Sequence, residues 1–69
     1  MRRQAGTVKW FNNEKNYGFI EANGEEYFVH FTQIEVGKEG YKSLSEGQRV
    51  TFVPVDNGKG PAAHRVEIR

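Results

Sequence analysis

Tyr17-Gly18-Phe19-Ile20-Glu21-Ala22-Asn23-Gly24-Glu25-Glu26-Tyr27-Phe28-Val29-His30-Phe31 is the stretch on which the fold turns. Two short runs rich in aromatic and β-branched residues flank an Asn-Gly pair, the side-chain chemistry of a tight hairpin turn. The pattern predicts strands over about 17–21 and 27–31. Side chains alternate faces along a strand, so Gly18 and Ile20 share one side and Tyr17 and Phe19 the other. On the following strand Tyr27 and Val29 share one side, and Phe28 and His30 the other. Ile20 and Val29 are core candidates. Tyr17, Phe19, Phe28 and His30 are then left outside, where a half-buried strand normally carries polar residues. Reversing the assignment only exchanges one apolar face for another.

Outward from this hairpin the chain keeps the same character. Further β-rich runs are expected over about 6–12, 49–55 and 62–68. They are separated by Asn12-Asn13-Glu14-Lys15-Asn16, by 37–47 and by Asn57-Gly58-Lys59-Gly60-Pro61, all rich in turn formers. No helical period, repeat or low-complexity segment interrupts them. Five short strands without a large helix must protect their edges, and closing into a small all-β barrel is the economical solution. The irregular segment from Thr32 to Leu44 has room for a short helical turn after Phe31.

Composition limits the functions available. Sixty-nine residues are expected to make one domain, with a modest core and marginal stability. There is no cysteine, hence no disulfide and no thiolate metal site. No signal-peptide apolar run follows the first residues, and no stretch approaches the roughly 20 apolar residues of a membrane span. A soluble cytoplasmic protein without membrane contact is the default expectation. A formal net charge of +1 argues against a binder driven by bulk electrostatics. No Gly-rich phosphate loop with a following Lys-Ser or Lys-Thr is present, so ATP-driven chemistry is not expected. His30 and His64 lack further ligands for a metal, and no nucleophile accompanies His30 as a base. Neither a catalytic site, a metal, a cofactor nor a small-molecule substrate is expected.

The aromatic residues remain: five Phe, three Tyr and one Trp, most of them in the first half. Antiparallel neighbours set Tyr17, Phe19, Phe28 and His30 side by side, and an exposed patch of this kind usually marks a binding surface. Unpaired bases stack on such rings with about 1–3 kcal/mol each, enough to bind a polyanion without much net charge. Lys9, Lys15 and Lys59 would supply local positive charge at the edges. The expected partner is single-stranded RNA or DNA. The alternatives are a regulator selective for one sequence, or a protein-interaction module that docks a peptide or second subunit on the same face; a monomer is expected.

Three motifs in order, Lys9-Trp10-Phe11-Asn12, Lys15-Asn16-Tyr17-Gly18-Phe19-Ile20 and Phe28-Val29-His30-Phe31, resemble the bacterial cold-shock proteins and the cold-shock domain. The second and third resemble that family's two ribonucleoprotein motifs. Gly40-Tyr41-Lys42-Ser43-Leu44, Glu46-Gly47-Gln48 and Gly60-Pro61-Ala62-Ala63 follow in the family's order, so the resemblance spans nearly the whole chain. It implies a five-stranded antiparallel barrel of the oligonucleotide-binding type, and passive binding of single-stranded RNA and DNA with a preference for pyrimidine-rich stretches. It implies an RNA chaperone that shifts folding equilibria by mass action. The positions of Trp10, Tyr17, Phe19, Phe28, His30, Phe31 and Tyr41 are those that stack on bases in the family. Those of Lys9, Lys15 and Lys59 lie near the backbone, Pro61 borders the site, and Phe11 sits at its edge, partly packed.

Strict alternation puts Trp10 with Val8 and Phe31 with Val29, whereas the resemblance puts both rings on the binding face. A bulge or strand end near each reconciles the two. Four positions depart from the family pattern. Asn16 stands where glycine is usual, which is tolerable if the backbone is left-handed. Tyr27 replaces an aliphatic residue, so its hydroxyl needs a partner or solvent. The loop from Ile34 to Tyr41 is longer. His64 replaces a small residue, in phase with Val66 and Ile68, and reads as a partly buried histidine without a role.

Overall fold

A computed structural model of the chain describes residues 3–35, 44–56 and 58–69. Five strands form in the expected places: β1 (Gln4–Asn12), β2 (Tyr17–Ala22), β3 (Glu25–His30), β4 (Arg49–Asp56) and β5 (Pro61–Ile68). A 3-10 turn, Phe31–Gln33, follows β3 directly, in the region where the sequence leaves room for a short helical turn without forcing one. The Asn23-Gly24 corner has both residues in the left-handed region, at φ 54° and 79°, the geometry that makes Asn-Gly effective between paired strands.

The strands close into a barrel in the order β1-β2-β3-β5-β4, which leaves no free sheet edge. β1 serves two neighbours, its first half pairing with β4 and its second half with β2. Four seams are antiparallel. The closing seam between β3 and β5 is parallel and brief, a single pairing of Phe28 with Ala62. The inner face is apolar throughout. Val8, Ile20, Val29, Val50, Phe52, Ala63 and Val66 are almost completely buried and form one cluster. Burial of the valine, isoleucine and phenylalanine side chains stabilises by about 1.5–3 kcal/mol each.

Tyr27 belongs to that inner face. Its ring packs on Phe52 with centroids 4.9 Å apart, and its hydroxyl donates to a Glu25 Oε at 3.0 Å. The extra oxygen therefore finds its partner at the rim. That hydrogen bond to the carboxylate, followed by burial of the ring, holds the phenol pKa above its ordinary value.

Candidate nucleic-acid interface

The interface begins with a fault in β1. Val8 pairs with Ile20 and Trp10 with Phe19, so β1 carries one residue, Lys9, more than β2 across this step. Such a bulge inverts the phase of everything beyond it. Val8 stays in the core, and Trp10 turns outward with 38% of its surface exposed. The bulge presses β1 against β2 at Gly18. A Cβ there would stand 2.3 Å from the Trp10 carbonyl oxygen and 2.7 Å from the Phe11 Cα, so only glycine fits. Phe11 packs partly against the core, as expected of it.

The outward rings form rows across the sheet. Trp10, Phe19 and Phe28 are register partners on β1, β2 and β3, and Tyr17 pairs with His30 in the next row. Trp10 lies 5.5 Å from Tyr17 and 5.4 Å from Phe19, centroid to centroid. Phe28 lies 5.8 Å from Tyr17 and 5.9 Å from Phe19. Four rings thus lean on one another in a closed patch, at spacings typical of aromatic pairs. The rings at the two ends of the first row, Trp10 and Phe28, are the most exposed; Tyr17 and Phe19 are half-buried between them.

His30 extends the patch, and Phe31 borders it with its ring partly packed against the core. β3 ends at His30, so Phe31 opens the 3-10 turn and escapes the alternation of the strand. Its ring lies 5.2 Å from that of His30. The Phe31 amide donates to the Asn16 carbonyl at 2.9 Å, tying the turn to the β1–β2 loop. Asn16 has φ 63°, the left-handed backbone expected at this position. The Thr32 amide donates to Nδ1 of His30 at 3.3 Å, with the Thr32 hydroxyl 3.0 Å from the same nitrogen. Nδ1 therefore accepts, which in the neutral ring places the proton on Nε2, a hydrogen-bond donor.

Charge is placed at the margins. Lys9, on the bulge, forms an ion pair with Glu26 of β3, and the hydrogen bond and charge of that carboxylate hold its ammonium above the ordinary lysine pKa. Lys15 is exposed in the β1–β2 loop, whose course is set by Asn12 Oδ1 accepting from the Glu14 and Lys15 amides at 2.9 and 3.0 Å. Lys59 and Pro61 line a cleft of about 440 Å³ beside Phe19, Glu26, Phe28 and Ala62. The structure thus brings Lys9, Trp10, Tyr17, Phe19, Phe28, His30, Phe31, Lys59 and Pro61 onto or beside one face, with Lys15 on the adjoining loop. Tyr41 lies outside the described residues.

The phase of His64 requires a correction, although its partial burial is as expected. β5 gains one residue over β4 between the pairings Val53 with His64 and Thr51 with Glu67, and Arg65 sits at φ 53°. This second bulge breaks the phase: Val66 enters the core, while His64 faces outward, half-buried. Ala62 is buried too, yet it lines the cleft under Phe28. His64 and Ala62, and Thr32 that orients His30, went unrecognised as parts of this face. A single strand's pattern does not reveal where its partner skips a residue.

Among the described residues, no group of three or more His, Cys, Asp or Glu could hold a metal ion, and no helix is long and apolar enough to cross a membrane. Residues 4–68 match the family model described as the 'Cold-shock' DNA-binding domain. Cold shock protein CspD of Bacillus subtilis is 58% identical over 64 residues, covering 91% of this chain and 94% of that protein. Cold shock protein CspB of Geobacillus stearothermophilus matches with the same identity and coverage. The solved structure of drosophila Unr CSD456 superposes with a TM-score of 0.77 at 18% identity, over 99% of this chain and 27% of that one, a likeness of fold alone. With the closed barrel and the ring-bearing face already described, these matches establish that the chain belongs to the cold-shock domain family of nucleic-acid-binding proteins.

Proposed function

We propose that the chain binds single-stranded RNA and DNA by stacking unpaired bases on the Trp10–Phe19–Phe28 row and its neighbours Tyr17, His30 and Phe31, and acts as a passive RNA chaperone with a loose preference for pyrimidine-rich strands. The observation that carries this reading is the row itself: three aromatic rings from three strands, in register, on the outer wall of a barrel whose inner wall is already apolar. Three or four stacked bases give about 3–12 kcal/mol gross, against roughly 8 kcal/mol for micromolar binding. Duplexes hide the faces of their bases, so unpaired strands are selected. Binding them draws hairpins open by mass action, with no energy source. Loose specificity follows because every base offers a π-face.

The test compares oligonucleotides of one length but different sequence, together with the melting of a short RNA hairpin. Modest differences favouring pyrimidines, and a hairpin that melts at lower temperature with added protein, support the proposal. One sequence preferred by several orders of magnitude makes the protein a selective regulator instead. With Lys9, Lys15 and Lys59 near phosphates, log affinity should fall against log salt with a slope of about −2. A slope several times steeper would transfer the affinity from rings to charge.

A further inference from the structure

We propose that the cleft between His30 and His64 is a further base-binding subsite, taking one unpaired base of the strand that crosses the rings; the inference rests on the binding mode proposed above. Phe28 on β3 pairs with Ala62 on β5. Two residues further along each strand stand His30 and His64, and the pairing does not continue to them. Between them lies a separate cleft of about 180 Å³, walled by Phe28, His30, His64, Thr32 and Gln33 and floored by Ala62 and Ala63. It is contiguous with the ring rows, since Phe28 and His30 belong to both.

The lining favours a base over a phosphate. Among the described residues, neither a lysine nor an arginine lines the cleft, and a phosphate site would be built on such cations or on convergent backbone amides. The polar side chains there are instead the Thr32 hydroxyl, which is turned to His30 Nδ1, the amide of Gln33 and the imidazoles of His30 and His64. Gln33, His30 and His64 can each present a donor, and Gln33 and His64 can also present an acceptor, the combination that reads a base edge. Thr32 fixes the His30 ring through Nδ1, leaving Nε2–H to point elsewhere. His64 is placed by the Arg65 bulge and rests opposite Val53 of β4, itself only 5% exposed. A small residue here would leave a shallow wall; His64 raises it and adds a hydrogen-bonding edge. Among the described residues, His30 is the other titratable group in the lining, and the 3-10 turn and β4 contribute none to it.

The wild-type chain and His64→Ala are titrated with oligothymidine and oligoadenylate hexamers. Trp10 fluorescence reads the rings, and the imidazole C–H resonances of His64 read the cleft. The His64 resonances of the wild type should shift with the same midpoint as the Trp10 quench. His64→Ala should bind about fivefold more weakly, the worth of one well-made hydrogen bond, and His64→Gln should recover most of that loss. Trp10 quenching with unmoved His64 resonances and unchanged affinity of His64→Ala overturns the subsite and leaves the ring surface intact. No quenching in the wild type overturns both. A loss confined to acidic pH, where histidine is cationic, and abolished by high salt makes His64 a phosphate contact and overturns the base assignment.

Discussion

Ile20 and Val29, on the inner face of the β2–β3 hairpin, are fully buried, whereas Phe19 and Phe28, each one residue away, face outward, with Phe28 37% exposed. Both faces are apolar, and the chain spends its hydrophobicity differently on them. The inner residues meet side chains from other strands in one cluster. The outer rings meet mainly one another and leave surface uncovered. An exposed ring gives up stabilisation that burial would supply, so a face kept aromatic in this way is accounted for by a ligand rather than by folding. The inner face should govern stability and the outer face affinity.

The largest expected effect tests the inner side of that division. Ile20→Ala should lower unfolding free energy by about 2–5 kcal/mol in denaturant titrations. The oligonucleotide affinity of the remaining folded protein should change little. A large loss of affinity in the folded fraction would mean that the two faces are not separable. Phe28→Ala makes the reciprocal test: a loss of about 1–3 kcal/mol in oligonucleotide binding, with thermal stability nearly unchanged. Unchanged binding accompanied by loss of an oligomer would reassign the face to protein contact.

Tyr27 lies between the two regimes, with an inner-face ring and a hydroxyl at the rim. Tyr27→Phe should cost about 1 kcal/mol of stability through the lost bond to Glu25. The same residue sharpens the comparison at alkaline pH. Its pKa is raised in the folded chain, so its contribution is intact below the ordinary tyrosine value of 10.0 and is lost as pH rises through the folded value. Stability of the wild type should therefore fall more steeply with alkali than that of Tyr27→Phe.

The hairpin, the strand positions and the sides taken by Tyr17, Phe19, Phe28 and His30 are legible from residue pattern alone, because alternation is a local property. Trp10 and Phe31 were placed outward by family resemblance against alternation. The Lys9 bulge does turn Trp10 outward, and the end of β3 at His30 takes Phe31 out of the alternation with its ring partly packed against the core. A bulge is set by the register of two strands, and neither strand carries that register by itself. His64 is half-buried as expected, but its phase is not legible for the same reason, since the extra residue at Arg65 separates it from the phase of Val66. The parallel β3–β5 seam is a property of closure that no local run displays. The left-handed Asn16, by contrast, was implied by the resemblance, because it puts glycine at that position and Asn is the side chain that next best tolerates such a backbone.

Quenching of Trp10 fluorescence tests the central claim most directly, because Trp10 is the only tryptophan and stands at the exposed end of the ring row. Oligothymidine should quench it to saturation, and a duplex of the same length should leave it nearly unchanged. No response to the single strand, or an equal response to both, would contradict the account.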